Sequence, residues 1–250
     1  MKTVAITILC LLTLIGSPKL LAADSGDIPL SDTDGISRLL VSGRYLDIEI
    51  DGVEQEGSLH WEHTENMDTP PSGTRIQVPV MEPVFQRNDD TLLLRLDNND
   101  GNWHLRLQIP VHWEITANVM ERGDIHISGQ QAAVSAWSAR GEVTLTEHSG
   151  SFSVTAMDGS AQVDIVAPPA ETSAITVWNG ELVLKMPPQA ETRLVLQESS
   201  HLETDLAALQ SAKTEKQLRG TAYTLNNGSN EITLRNLNGG IHVLNRDTRP

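Results

Sequence analysis

A glycine followed by apolar residues two and four positions later recurs along this chain at a fixed interval. No other feature of the sequence constrains the fold as much. The copies are Gly123-Asp124-Ile125-His126-Ile127, Gly141-Glu142-Val143-Thr144-Leu145, Gly150-Ser151-Phe152-Ser153-Val154 and Gly159-Ser160-Ala161-Gln162-Val163. Val134 and Ala136 fill a slot that lacks the glycine, so the first apolar positions fall at 125, 134, 143, 152 and 161, nine residues apart. Two later copies, Gly180-Glu181-Leu182-Val183-Leu184 and Gly239-Gly240-Ile241-His242-Val243, keep the alternation and change its phase.

Alternation of period two turns one side of a strand inward and the other to solvent. The glycine marks a turn that needs a positive φ or close stacking of backbones. Asp158, Asn179 and Asn238, each just before a glycine, are turn formers. A short strand with a tight turn cannot bury its apolar side alone, whereas successive copies stacked in register build a continuous core. The pattern therefore predicts an all-β fold, a single-chain β-solenoid of short stacked strands and Gly turns. Ile125, Val134, Val143, Phe152 and Ala161 belong to its inward set, with Ile127, Ala136, Leu145, Val154 and Val163 beside them. The sequence leaves open whether these stack in one column or alternate between two faces.

A longer echo runs alongside. Ala167-Pro168-Pro169 with Glu171-Thr172 matches Met186-Pro187-Pro188 with Glu191-Thr192, and Ile109-Pro110 with Glu114-Ile115-Thr116 is a looser copy. Proline lacks the N–H that a ladder needs, so these read as wide corners between strands. The expected organisation is a signal peptide over 1–23, a flexible segment over 24–38, the solenoid over 39–245 and a tail over 246–250. Within the solenoid, 39–103 is irregular and 104–245 carries the regular repeats. Met67 to Gly73 reads as a Pro-rich loop. Leu202 to Leu218 reads as a strand followed by a polar loop.

The first 23 residues carry the marks of export. Lys2 supplies a positive start, Val4 to Ile15 is nearly all apolar, Ser17-Pro18 breaks a helix and Leu21-Ala22-Ala23 suits a signal peptidase. The apolar run is too short for a transmembrane helix. Cys10 follows Leu9 rather than a small residue, which argues against a lipid anchor. Cleavage after Ala23 removes Lys2 and Lys19, taking Lys+Arg from 18 to 16 and the net charge from -15 to -17. It also removes the one cysteine, and with it any disulfide or thiolate cluster. So acidic a surface repels phosphate backbones and anionic headgroups, excluding nucleic acid as a partner. An exported protein with no transmembrane segment is expected, periplasmic in the first place and otherwise secreted or surface-associated.

The Gly-x-apolar copies from Gly123 to Leu184, the closing Asn238-Gly239-Gly240-Ile241-His242-Val243 and the run Leu105 to Pro110 together resemble the bacterial "putative adhesin" β-solenoid family, a domain of unknown function. The resemblance spans roughly Leu39 to Leu244. It implies a β-solenoid and an exported or membrane-anchored setting, and it brings no catalytic residues to carry over.

Chemistry in the repeats is sparse. Calcium-binding β-rolls share a nine-residue glycine period, but their acidic position here holds Leu145, Val154 or Val163. Asp124, Glu142 and Glu181 follow their glycines and line one edge. They are a solvated edge or, in a groove, the acid and base of a glycosidase. His60-Trp61-Glu62-His63 invites a metal, yet histidines three apart diverge on a strand, and His126 and His242 fall at matching outward positions far apart in the array. Trp137 and Trp178 either pack inward, the preferred reading, or stack on a sugar ring or protein partner. No nucleophile elbow, phosphate loop or dinucleotide fingerprint occurs.

The expected function is non-enzymatic binding or scaffolding at the cell envelope, with an envelope protein or glycan as partner and no catalytic group, metal or cofactor. Trp137, Trp178, Asp124, Glu142 and Glu181 mark the candidate binding face. The alternatives are a carbohydrate-active β-helix enzyme using the edge carboxylates and a periplasmic metal-binding or stress accessory protein.

Overall fold

The computed structural model describes residues 25–29, 34–54, 58–66, 84–96, 102–197 and 201–247. The expected signal peptide and the Pro-rich loop at 67–73 lie outside the described residues. Those described are all-β, with twenty strands joined in one continuous, mostly parallel hydrogen-bonded network and one short helix, α1 (Ala207–Gln210).

The nine-residue units alternate between two ladders. β8 (Ile125–Ser128), β10 (Val143–His148), β12 (Ala161–Ile165) and β14 (Leu182–Met186) pair in parallel in the first, called here ladder A. β7 (Glu114–Arg122), β9 (Val134–Arg140), β11 (Phe152–Asp158) and β13 (Ser173–Asn179) pair in parallel in ladder B. Val143 thus sits between Ile125 and Ala161, while Val134 sits between Ile115 and Phe152. The true repeat of the stack is one strand from each ladder, 18 residues from Asp124 to Glu142. The inward residues of both ladders meet in one core, and Ile127, Val143, Leu145, Val163, Leu182 and Leu184 are wholly buried in it.

Two kinds of corner join the ladders. Every passage from B to A in this series is a tight glycine turn, at Gly123, Gly141, Gly159 and Gly180. The Pro-bearing echoes all lie on the return from A to B, between β6 (Asn102–Pro110) and β7, between β12 and β13, and between β14 and β15 (Thr192–Gln197). The glycines are required by close approach: a Cβ on Gly159 would lie 2.0 Å from the Gly141 carbonyl oxygen. Beside them, Asn179 Nδ2 donates to Asp158 Oδ1 at 2.6 Å and Asn238 Nδ2 to Asn179 Oδ1 at 2.8 Å, a polar ladder along the turns.

The order of rungs departs from the order of the chain at both ends. β2 (Arg38–Val53) passes through both ladders. Its first half pairs with β7 on one side and β5 (Thr91–Leu96) on the other, and its second half lies between β8 and β6. At the far end β19 (Glu231–Asn238) enters between β13 and β15, and β20 (Ile241–Asn245) between β14 and β16 (Leu202–Thr204). The first and last parallel rungs of the chain are therefore interior rungs of the stack, each overlain by a segment nearer mid-chain.

Antiparallel strands close the ends. β3 (Ser58–Asn66) lies on β6 and β4 (Val84–Asn88) on β5. Ser25–Pro29, within the segment expected to be flexible, is a strand, β1, on β3. At the other end β18 (Gly220–Leu225) lies on β15 and β17 (Lys213–Gln217) on β18. Every residue of β17, Lys213-Thr214-Glu215-Lys216-Gln217, is exposed. Charge on such an edge resists pairing with another chain. The stretch after Leu202, read as a strand and a polar loop, is β16, α1 and β17 in turn.

Candidate binding face

The outward residues of the two ladders differ in kind. On ladder A, Asp47, Asp124, Glu142, Ser160 and Glu181 stand in one column, Asp47 after Leu46 within β2 and the other four each just after a glycine turn. Asp124 and Glu142 are neighbours, and Glu181 lies two rungs beyond Glu142, with Ser160 between them. These side chains tie rung to rung. The Asp124 N–H donates to Asp47 Oδ1 at 2.9 Å and the Glu142 N–H to Asp124 Oδ1 at 2.7 Å. The Glu181 N–H donates to Ser160 Oγ at 3.1 Å and the Gly240 N–H to Glu181 Oε2 at 3.0 Å. A carboxylate or hydroxyl thus satisfies a turn N–H that has no ladder partner, which is the physical reason for acids at this position.

Glu181 also begins a cluster that sequence reasoning did not single out. His242 Nε2 lies 3.0 Å from Glu181 Oε2 and His242 Nδ1 lies 3.1 Å from Glu203 Oε2. His201 Nε2 lies 3.0 Å from Glu203 Oε1. The hydrogen bond from His201, with the charge of His242 next, holds the Glu203 carboxyl below the usual carboxylate range. The cluster joins the short β16 to β20 and β14. The pairing of distant rungs makes it, so no local motif announces it. His126 shares the outward column of His242, with Thr144, Gln162 and Val183 between them. Among the described residues no group of three or more His, Cys, Asp or Glu is placed to hold a metal ion. The side chains of His60 and His63 lie outside the described residues.

Ladder B presents an uncharged panel. Thr116, Ser135, Ser153 and Ala174 form one outward column, and Asn118, Trp137, Thr155 and Thr176 form the next. Met120, Ala139, Met157 and Trp178 follow at the next outward position of the same strands. None of them carries a charge, in a chain of net charge -15. Trp178 is 43% and Met120 57% exposed, and Trp137 is half-buried. Both tryptophans preferred as core residues therefore face outward, while Trp103 and Trp113 are buried.

Ion pairs frame the panel. Arg38 Nε donates to Glu114 Oε2 at 3.0 Å, and Arg44 Nη2 and Arg140 Nη2 donate to the two oxygens of Glu121 at 3.0 and 3.1 Å. The Arg44 hydrogen bond, with Arg140 adding to it, holds the Glu121 carboxyl below its usual range. Along the margin that carries Glu114 a shallow groove of about 280 Å³ is lined by Thr116, Ser135 and Ser153 with Glu114 and Thr172. The five candidate residues thus divide: Trp137 and Trp178 lie on the ladder B panel, and Asp124, Glu142 and Glu181 lie across the glycine turns on ladder A.

No family model matches the chain, and no curated protein does. Among solved structures, the crystal structure of a "putative cell adhesion protein" from Clostridium sporogenes is similar at 11% identity and a TM-score of 0.48, over 89% of this chain and 99% of that one. At that identity and score the likeness assigns no role, and the site rests on its own geometry. Among the described residues no helix is long and apolar enough to cross a membrane.

Proposed function

We propose that this chain is an exported, non-enzymatic binding protein of the cell envelope, adhesin-like in its role. On this reading the two-ladder stack is a β-solenoid of the "putative adhesin" kind, and the outer face of ladder B receives the partner. The observation that carries the reading is the uncharged panel, with Trp178 exposed at 43% in an otherwise acidic protein. Large exposed apolar side chains grouped on one flat face mark an interaction site more often than chance exposure does. A rigid parallel stack holds such a face in shape without ordering costs on binding. Against the glycosidase alternative stands the engagement of both acids: the Asp124 carboxylate accepts the turn N–H of Glu142, and the Glu142 carboxylate accepts from the Thr144 hydroxyl.

The test is binding of the labelled mature chain, residues 24–250, to isolated cell envelopes. Saturable binding that Trp178→Ala or Met120→Asp abolishes is the expected result. Equal binding by the variants and the parent would remove this face from consideration.

A further inference from the structure

We infer that the ladder B panel is a glycan site for an uncharged oligosaccharide, laid across the strands from Trp137 towards Trp178. This rests on the panel being the binding face and names what it binds.

A pyranose ring has an apolar C–H face and a rim of neutral hydroxyls. Its recognition calls for an aromatic surface beside uncharged donors and acceptors. The panel supplies both. Trp137 and Trp178 stand two rungs apart and one outward position apart along the strand. At ordinary strand spacings that is about 12 Å between Cα atoms, the scale of a disaccharide. Between and beside them stand Asn118, Thr155 and Thr176. Among the described residues these side chains make no hydrogen bond, so their polar groups are free for a ligand.

Charge and area separate this occupant from the others. A polyanionic glycan meets repulsion from a protein of net charge -15; none of the twelve panel residues is a cation, and the single Arg235 that continues their middle column beside Thr176 does not offset that charge. Four rungs by three outward positions span roughly 14 by 13 Å, a footprint on the order of 300–400 Å² with side chains, against about 800 Å² per partner in a standard stable protein interface. The uncharged panel alone suits a few sugar units, whereas a protein partner of standard size would have to extend over the charged rungs that flank it, onto Arg38 and Arg44 at one end and Arg235 at the other. The groove at its margin, about 280 Å³ and lined by serine and threonine hydroxyls together with Glu114, continues the surface.

The experiment applies the labelled mature chain to a glycan array. The array carries uncharged hexose and N-acetylhexosamine oligomers beside uronic-acid and sulfated ones. Any uncharged hit is then titrated by tryptophan fluorescence. Binding confined to uncharged oligomers, weakened about tenfold by Trp178→Ala and by Trp137→Ala, supports the proposal. Glu142→Gln, on the other ladder, should bind as the parent does, and unchanged far-UV circular dichroism certifies the folded state of each variant. Binding only to anionic oligomers, or to none, overturns it. So does a concentration-dependent dimer in sedimentation that Trp178→Ala dissociates. A blank array with envelope binding that still depends on Trp178 rejects the glycan and keeps the face. Envelope binding indifferent to Trp178 rejects the face itself.

Discussion

Gly141 lies directly over Gly123, so that a Cβ on Gly141 would stand 2.1 Å from the Gly123 carbonyl oxygen. The same contact recurs up the stack, with Gly180 over the Gly159 carbonyl at 2.3 Å and Gly239 over that of Gly180 at 1.9 Å. The glycine period is the trace of this column. Backbone-to-backbone stacking at the turns leaves no volume for any side chain.

Gly141→Ala should destabilise the protein by at least about 3 kcal/mol, since backbone atoms must move on two rungs. Gly129 is a contrast: its φ is also positive, at +70, but the nearest atom to an added Cβ is 3.6 Å away. Gly129→Ala should cost only about 1–2 kcal/mol, the penalty of left-handed backbone alone. Urea unfolding of the two variants checks the difference.

Asp124 is expected to act through its hydrogen bond rather than through catalysis. Asp124→Ala removes the acceptor for the Glu142 N–H and should cost about 1–2 kcal/mol. Asp124→Asn keeps an acceptor in place and should recover most of that loss. Thermal melts of the pair decide it, and equal destabilisation by both would refute the capping role.

His148 carries a pH dependence with a definite sign. Its ring is wholly buried, in edge contact with Phe152, with Nε2 3.2 Å from the Ser151 carbonyl oxygen. Desolvation lowers its pKa from the usual 6.5, outweighing the backbone carbonyls of Ser151, Gln130 and Gly150 that favour the charged form. The unfolded chain therefore takes up a proton at a higher pH than the folded one does. The stability tied to this residue is complete above about pH 6.5, falls as the pH drops below it, and is lost once the folded-state pKa is passed. His148→Leu should flatten that slope in melting temperature against pH.

The interior position of the last rung makes a further demand. Removing residues 231–250 takes β19 and β20 from between their neighbours and leaves both ladders broken. The truncated chain should fail to fold, whereas an array ending in its last repeat would lose only one rung. Circular dichroism of the truncated chain checks it.

Much of this was legible locally. Trp137 follows the inward Ala136 and Trp178 follows the inward Val177, so simple alternation already turns both outward. Size and apolarity argue for the core, and here the strand's parity prevails over them. His148 is the opposite case. A bulge after Leu145, with Glu147 at a φ of 53°, shifts the register and turns inward a side chain that alternation would leave in solvent. The Glu181–His242–Glu203 contacts were not legible, because they join residues 61 and 39 positions apart through the inserted rung.

The sequence by itself determined the all-β alternation, the inward set and the glycine turns, because period two and the need for an absent side chain are properties of a few adjacent residues. Only the tertiary structure decided that two strands make a rung, that β2 and the β19–β20 rung are interior, and that acids line the turns of ladder A while the β7–β13 stretch of ladder B presents an uncharged panel. Those are choices of partner across the stack. They follow from how whole rungs fit together, and no local stretch of chain encodes them.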